Sequence, residues 1–123
     1  MELFKIGSVD LTDYIIASSY DVNEDDVYTE WKDIFYNLHR GSVRKQVTGS
    51  FVLSFTNDEQ AFRDFVELIE AATVGNKTQL TVYINKTGRQ VTKNFYTTYK
   101  PKIKSVENGV VMYEDFKFSL EEA

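Results

Sequence analysis

A chain of 123 residues has room for one domain and one core, since a chain of this size buries roughly two thirds of its unfolded surface. Nineteen acidic residues against fourteen basic ones give a formal net charge of −5, which speaks against generic nucleic-acid binding and its surplus of phosphate-neutralising Lys and Arg. The absence of cysteine removes disulfides, thiolate nucleophiles and cysteine zinc sites.

No apolar run approaches the ~20 residues of a membrane helix, so no membrane insertion is expected. The opening Met1 to Gly7 lacks the basic head and apolar stretch of a secretory signal, which predicts a soluble chain used without export by that route. Eight Tyr, nine Phe and one Trp suit a β-rich core, with some rings left for an interface.

In chain order, Glu2–Ile6 and Val9–Leu11 predict a short strand pair turning at Gly7-Ser8, and Tyr14–Ile16 and Ser19–Val22 predict short strands. Asp21–Asp33 holds Asp21, Glu24, Asp25, Asp26, Glu30 and Asp33 against Lys32, and reads as a solvated loop or mobile arm. A basic cluster follows, His39, Arg40, Arg44 and Lys45, with no acid until Asp58. From Val43 a long strand is expected, its odd positions through Val47, Phe51, Leu53 and Phe55 sharing one face. Its first half lacks a core face, as in a hairpin arm beyond the sheet, and Gly49 marks a bulge or bend where the character changes.

Asn57 with Gln60 forms a capping-box pattern, Asp58 and Glu59 suit the first turn, and Ala61, Phe62, Phe65, Leu68, Ile69 and Ala72 make one apolar stripe. A helix at about residues 58–73 follows, with Gly75 as its C′ residue. Leu80–Asn85 and Gln90–Tyr99 predict a hairpin through Lys86–Arg89, and Pro101 ends the second strand. Lys102–Glu107 and Val110–Leu120 predict the last hairpin, turning at Asn108-Gly109. In it Met112, Phe116, Phe118 and Leu120 face inward, and Tyr113 outward. The fold class is therefore mainly β (α+β), an antiparallel β-sandwich or barrel with one flanking helix, in one domain spanning 1–123 with a mobile or assembly arm at about 21–42.

Chemistry-bearing patterns are scarce. The one histidine, His39, has no suggested orienting acid or nucleophile. Asp21, Asn23 and Asp25 match three positions of a calcium loop, but Asp26 stands where that loop needs glycine and Lys32 where it needs glutamate. No phosphate loop or nucleophile elbow is present, and no carboxylate pair stands out. A protein that is not an enzyme, without a metal or cofactor, is the expectation.

The chain resembles a family of small structural proteins from the tails of phages and prophages of Gram-positive bacteria. The resemblance rests on Ile6-Gly7 closing an opening strand, the acidic segment leading to His39-Arg40 and Arg44-Lys45, and Gly49-Ser50-Phe51 before the helix. It continues through Thr81-Val82-Tyr83, then Asn108-Gly109 followed by Phe116–Glu121. It implies a tail-tube-like or baseplate β-sandwich with a flanking helix, working in a ring or stack in the virion tail with other tail proteins, after synthesis in the host cytoplasm. No functional residue is carried over.

The residues themselves suggest how copies would meet. The acids Asp21, Glu24, Asp25 and Asp26 and the bases Arg40, Arg44 and Lys45 would dock head-to-tail, with Trp31, Phe35 and Tyr36 supplying affinity. Net negative charge would let DNA pass such a ring without sticking. The alternative is a ligand-binding β-module for surface glycans, with Tyr and Trp as sugar platforms.

Overall fold

The computed structural model describes residues 2–32, 38–55 and 58–123; within its strands the side chains of residues 26–44 are outside the description. Among the described residues, ten strands and one α-helix follow in chain order: β1 (Phe4–Ile6), β2 (Val9–Asp10), β3 (Asp21–Lys32), β4 (Leu38–Leu53), α1 (Glu59–Ala72), β5 (Thr73–Val74), β6 (Lys77–Ile84), β7 (Arg89–Tyr99), β8 (Ile103–Glu107), β9 (Val110–Tyr113) and β10 (Phe116–Glu122). Eight strands form one antiparallel sheet in the order β2-β1-β6-β7-β10-β4-β3, with β5 paired to β6 beside that path. β8 and β9 make a separate two-stranded sheet. The fold is thus the expected mainly β architecture with a flanking helix.

The main sheet curls until its inner face packs on itself. Phe4 of β1 lies 5.0 Å from Phe51 of β4 and 5.4 Å from Phe118 of β10 between ring centroids, although β1 sits several strands away from both. Tyr20 staples the curl: its hydroxyl donates toward the carbonyls of Leu3 (3.0 Å) and Tyr83 (2.6 Å) and accepts from the Tyr83 amide (3.0 Å). Nearby, the Asn85 amide donates to the Val22 carbonyl at 2.9 Å, bringing the end of β6 to the start of β3. Among the described residues no ladder joins β3 to β2, so the barrel stays open.

The helix covers one mouth of the curl. Phe62, Phe65 and Ile69 are buried, and Phe65 meets Phe55, Tyr99 and Phe118 at centroid distances of 5.4, 5.6 and 5.9 Å. Burying each such side chain contributes about 1.5–3 kcal/mol. The cap lies at Asp58, whose carboxylate accepts from the Ala61 amide at 2.9 Å; Asn57, expected in that role, is outside the described residues. Gln60 donates to Asp64 at 2.9 Å and makes no capping box. Thr73 ends the helix, its hydroxyl donating to the Ile69 carbonyl at 2.6 Å. Gly75 (φ 67°) therefore serves the turn between β5 and β6, and is not the helix C′ residue.

Other expectations also shift. Around Ile15 and Ser19 the chain makes two short 3-10 turns, Thr12–Tyr14 and Ala17–Ser19, because Leu11, Thr12 and Ile16 carbonyls take the next amides locally. Asn108 (φ 52°) and Gly109 (φ 78°) do form the tight turn between β8 and β9. The expected strand Val110–Leu120, however, breaks at Glu114-Asp115, and its second half returns to the main sheet as β10. That break turns Tyr113 inward, where it stacks on Phe62 at 4.0 Å.

Candidate assembly surface

The segment Asp21–Asp33, expected as a loop, is a strand through Lys32. β3 pairs with β4 from Asp21↔Ser50 to Lys32↔Leu38, whereas β10 reaches only Glu121↔Thr48. From Glu24 outward, β3 and β4 therefore pair with no other strand among the described residues, a two-stranded ribbon roughly 30 Å long at ~3.3 Å per residue. The register skips Val43 between Val27↔Arg44 and Tyr28↔Ser42. The bulge thus lies there and not at Gly49, where the pairing is regular and the backbones of β3 and β4 come close.

The acidic and basic segments face each other inside one chain. Asp26 is the register partner of Lys45, Glu30 of Arg40 and Trp31 of His39. They are neighbours on a single ribbon and not on separate surfaces of the chain. Asp21 and Asp25 are exposed and stand across from Ser50 and Gln46, and Lys45 is exposed as well. Arg40, Arg44, Asp26 and Trp31 have their backbone placed in the ribbon; Phe35 and Tyr36 lie outside the described residues. As strand residues, Asp21, Asn23 and Asp25 are spread along an extended backbone and do not wrap around a point as calcium-loop ligands must.

Glu24 belongs to the ribbon's root. Its carboxylate is 3.9 Å from the Lys93 ammonium of β7, which also lies 3.2 Å from Glu122 of β10. Glu122 in turn accepts from the Val47 amide at 3.0 Å, and Gln46 donates to the Glu122 carbonyl at 3.2 Å. Two mostly covered carboxylates thus share one ammonium and tie together β3, β4, β7 and β10. Sequence reading missed Lys93, although its odd position between Val91 and Phe95 marks it as inward-facing by strand alternation.

On the helix side, Arg63 donates to Glu59 at 2.6 Å, and that hydrogen bond holds the Glu59 carboxyl below its usual range. The other Glu59 oxygen accepts from the Val111 amide at 3.3 Å, anchoring β9. Among the described residues no helix is long and apolar enough to cross a membrane. No protein-family model, curated protein or solved structure matches the chain.

Proposed function

We propose that the protein is a structural subunit of a phage tail or of a phage-tail-like injection machine, a tube or baseplate component that assembles into a ring or stack. The ribbon carries this reading. A two-stranded ribbon is marginal in water unless a third strand or a packed face supports it, and β3–β4 runs roughly 30 Å past the last rung with β10. Docking on a neighbouring copy supplies that support. The root is built to hold the ribbon in place, through the Lys93 ion pairs and the close approach at Gly49. The resemblance to small tail proteins favours the same reading, and an acidic surface suits a channel that lets DNA pass. On this reading the protein is made in the host cytoplasm, works in the virion tail and has no catalytic role.

The test compares the chain with a variant whose residues 26–44 are replaced by Asn-Gly. The full chain should give rings, stacks or complexes with a tail component by native mass spectrometry and negative-stain imaging. The shortened variant should stay folded and monomeric, since buried Val22 and Val47, the pairing with β10 and the Lys93 ion pairs all lie outside the replaced segment. A full chain that remains monomeric and binds no tail component overturns the proposal.

A further inference from the structure

We propose that β8 receives the ribbon of a second copy, its free edge pairing with the free edge of the neighbour's β3. This rests on the assembly reading above and names the surface that completes it.

β8 is anchored on one side only. Its partner β9 is held to the helix by the Val111–Glu59 hydrogen bond and by Tyr113 on Phe62, while among the described residues the other edge of β8 pairs with nothing. Ile103 and Val106 on this strand are 60% and 62% exposed, an unusual display for large apolar side chains in a two-stranded sheet. Lysines outnumber acids beside it. Lys100, Lys102 and Lys104 are exposed and have no ion-pair partner among the described residues, Lys117 and Asp115 line with Lys100 and Lys102 a groove of about 450 Å³, and the strand ends at exposed Glu107.

β3 is the complement. It is the terminal strand of the main sheet, and from Glu24 onward its outer edge has no strand partner among the described residues. Its exposed acids Asp21 and Asp25 stand opposite uncharged residues of β4, and Val27, Tyr28 and Trp31 follow in its sequence, so an acidic and apolar strand would meet a basic and apolar one.

Charge also selects against the other pairings. The exposed run Lys100, Lys102 and Lys104, the last on β8 itself, repels the same run of a second copy, and Asp21 and Asp25 on β3 repel a second β3, as edge charges do in proteins that avoid indiscriminate pairing. The contact left is β8 to β3. Because it joins two different surfaces, every copy keeps one of each unused after docking, and the contact propagates into a ring or filament.

The experiment uses two full-length variants, Lys102→Glu/Lys104→Glu and Asp21→Lys/Asp25→Lys. All four positions are exposed, and Asp21 and Asp25 stand opposite uncharged residues of β4, so both variants should fold, as circular dichroism and thermal melting will report. Each alone should lose assembly by ~100-fold or more in sedimentation velocity, because like charges then face one another at the contact. An equimolar mixture should assemble again, since each reversed edge then meets an opposite one. Native mass spectrometry should find the two chains in equal numbers. Assembly of the lysine variant at wild-type strength, or a mixture that stays monomeric, overturns the proposal. If it does so while the ribbon-shortened chain is monomeric, the ribbon docks elsewhere and the assembly reading stands; a monomeric wild-type chain overturns both.

Discussion

Gly49 lies at the point where the ribbon leaves the sheet, and a single added methyl group there tests how the two are joined. A Cβ on this residue would stand 2.6 Å from the Val22 Cα and 2.9 Å from the Val22 Cγ2, and would also run into the Asp21 carbonyl oxygen. Ordinary carbon contacts begin near ~3.5 Å, so β3 must retreat by roughly 1 Å. Val22, which is fully buried, would lose packing, and the rungs on either side, Asp21↔Ser50 and Asn23↔Thr48, would lengthen. Overpacking of this kind costs about 1–3 kcal/mol. Weakening two backbone rungs adds about 1 kcal/mol each, for a total of about 3–5 kcal/mol. Against a urea m-value of about 1–3 kcal/mol/M, Gly49→Ala should lower the unfolding midpoint by ~2 M, with Ser50→Ala changing it little. Because β3 carries the ribbon, assembly should weaken in conditions where the variant is still folded. A midpoint within ~0.3 M of wild type would refute the close approach as the reason for glycine here.

Tyr20→Phe should cost about 1–3 kcal/mol at neutral pH by removing the hydroxyl that bonds the Leu3 and Tyr83 carbonyls. Burial pushes the Tyr20 hydroxyl far above its ordinary range, so the folded state keeps a proton that the unfolded chain releases near pH ~10. Its contribution is therefore intact below pH ~10 and declines above it by up to ~1.4 kcal/mol per pH unit, a decline that Tyr20→Phe should reduce in alkaline denaturation curves. Tyr99, raised for the same reason, should retain part of it. Asp58→Ala should cost about 1 kcal/mol in thermal or urea unfolding through loss of the helix cap, and Gln60→Ala only a few tenths; equal losses would sink the assignment of the cap to Asp58. Phe65→Asp should abolish the folded state outright, as loss of cooperative unfolding would show, since it sets an unpaired charge among Phe55, Tyr99 and Phe118.

Elements whose core face repeats in sequence are legible without coordinates. The helix shows a 3.6-residue stripe, β10 alternates through Phe116, Phe118 and Leu120, and Asn108-Gly109 carries its turn in its own backbone preference. β3 is not legible in this way. Beyond Val22 its sequence shows no regular apolar alternation, and its strand pairing is with β4 along its whole length. Gly49 looks the same in sequence whether it serves a bulge or a close approach, because both need the missing Cβ. Of the candidate site, the acidic and basic segments stand out as composition, but their adjacency is a matter of register. Lys93 and the lysines around β8 are scattered through ordinary strand sequence and become groups only when strands are laid side by side.

That register gives the charge split a first use inside the chain. A two-stranded ribbon is prone to slip, and a slip of two residues keeps every side chain on its own face, so apolar patterning offers little resistance. Here such a slip would set Asp26 against Val43 or Val47 in place of Lys45, and Glu30 against Leu38 or Ser42 in place of Arg40. Opposite charges directly across an antiparallel pair contribute roughly 0.2–1 kcal/mol each, enough together to favour one register of an otherwise marginal ribbon. What remains for a neighbour is the acid without a cross-strand base, Asp21 and Asp25 opposite Ser50 and Gln46. The charge that holds the ribbon in register and the charge that would dock it thus belong to different rungs, and this is why reversing Asp21 and Asp25 should separate assembly from folding.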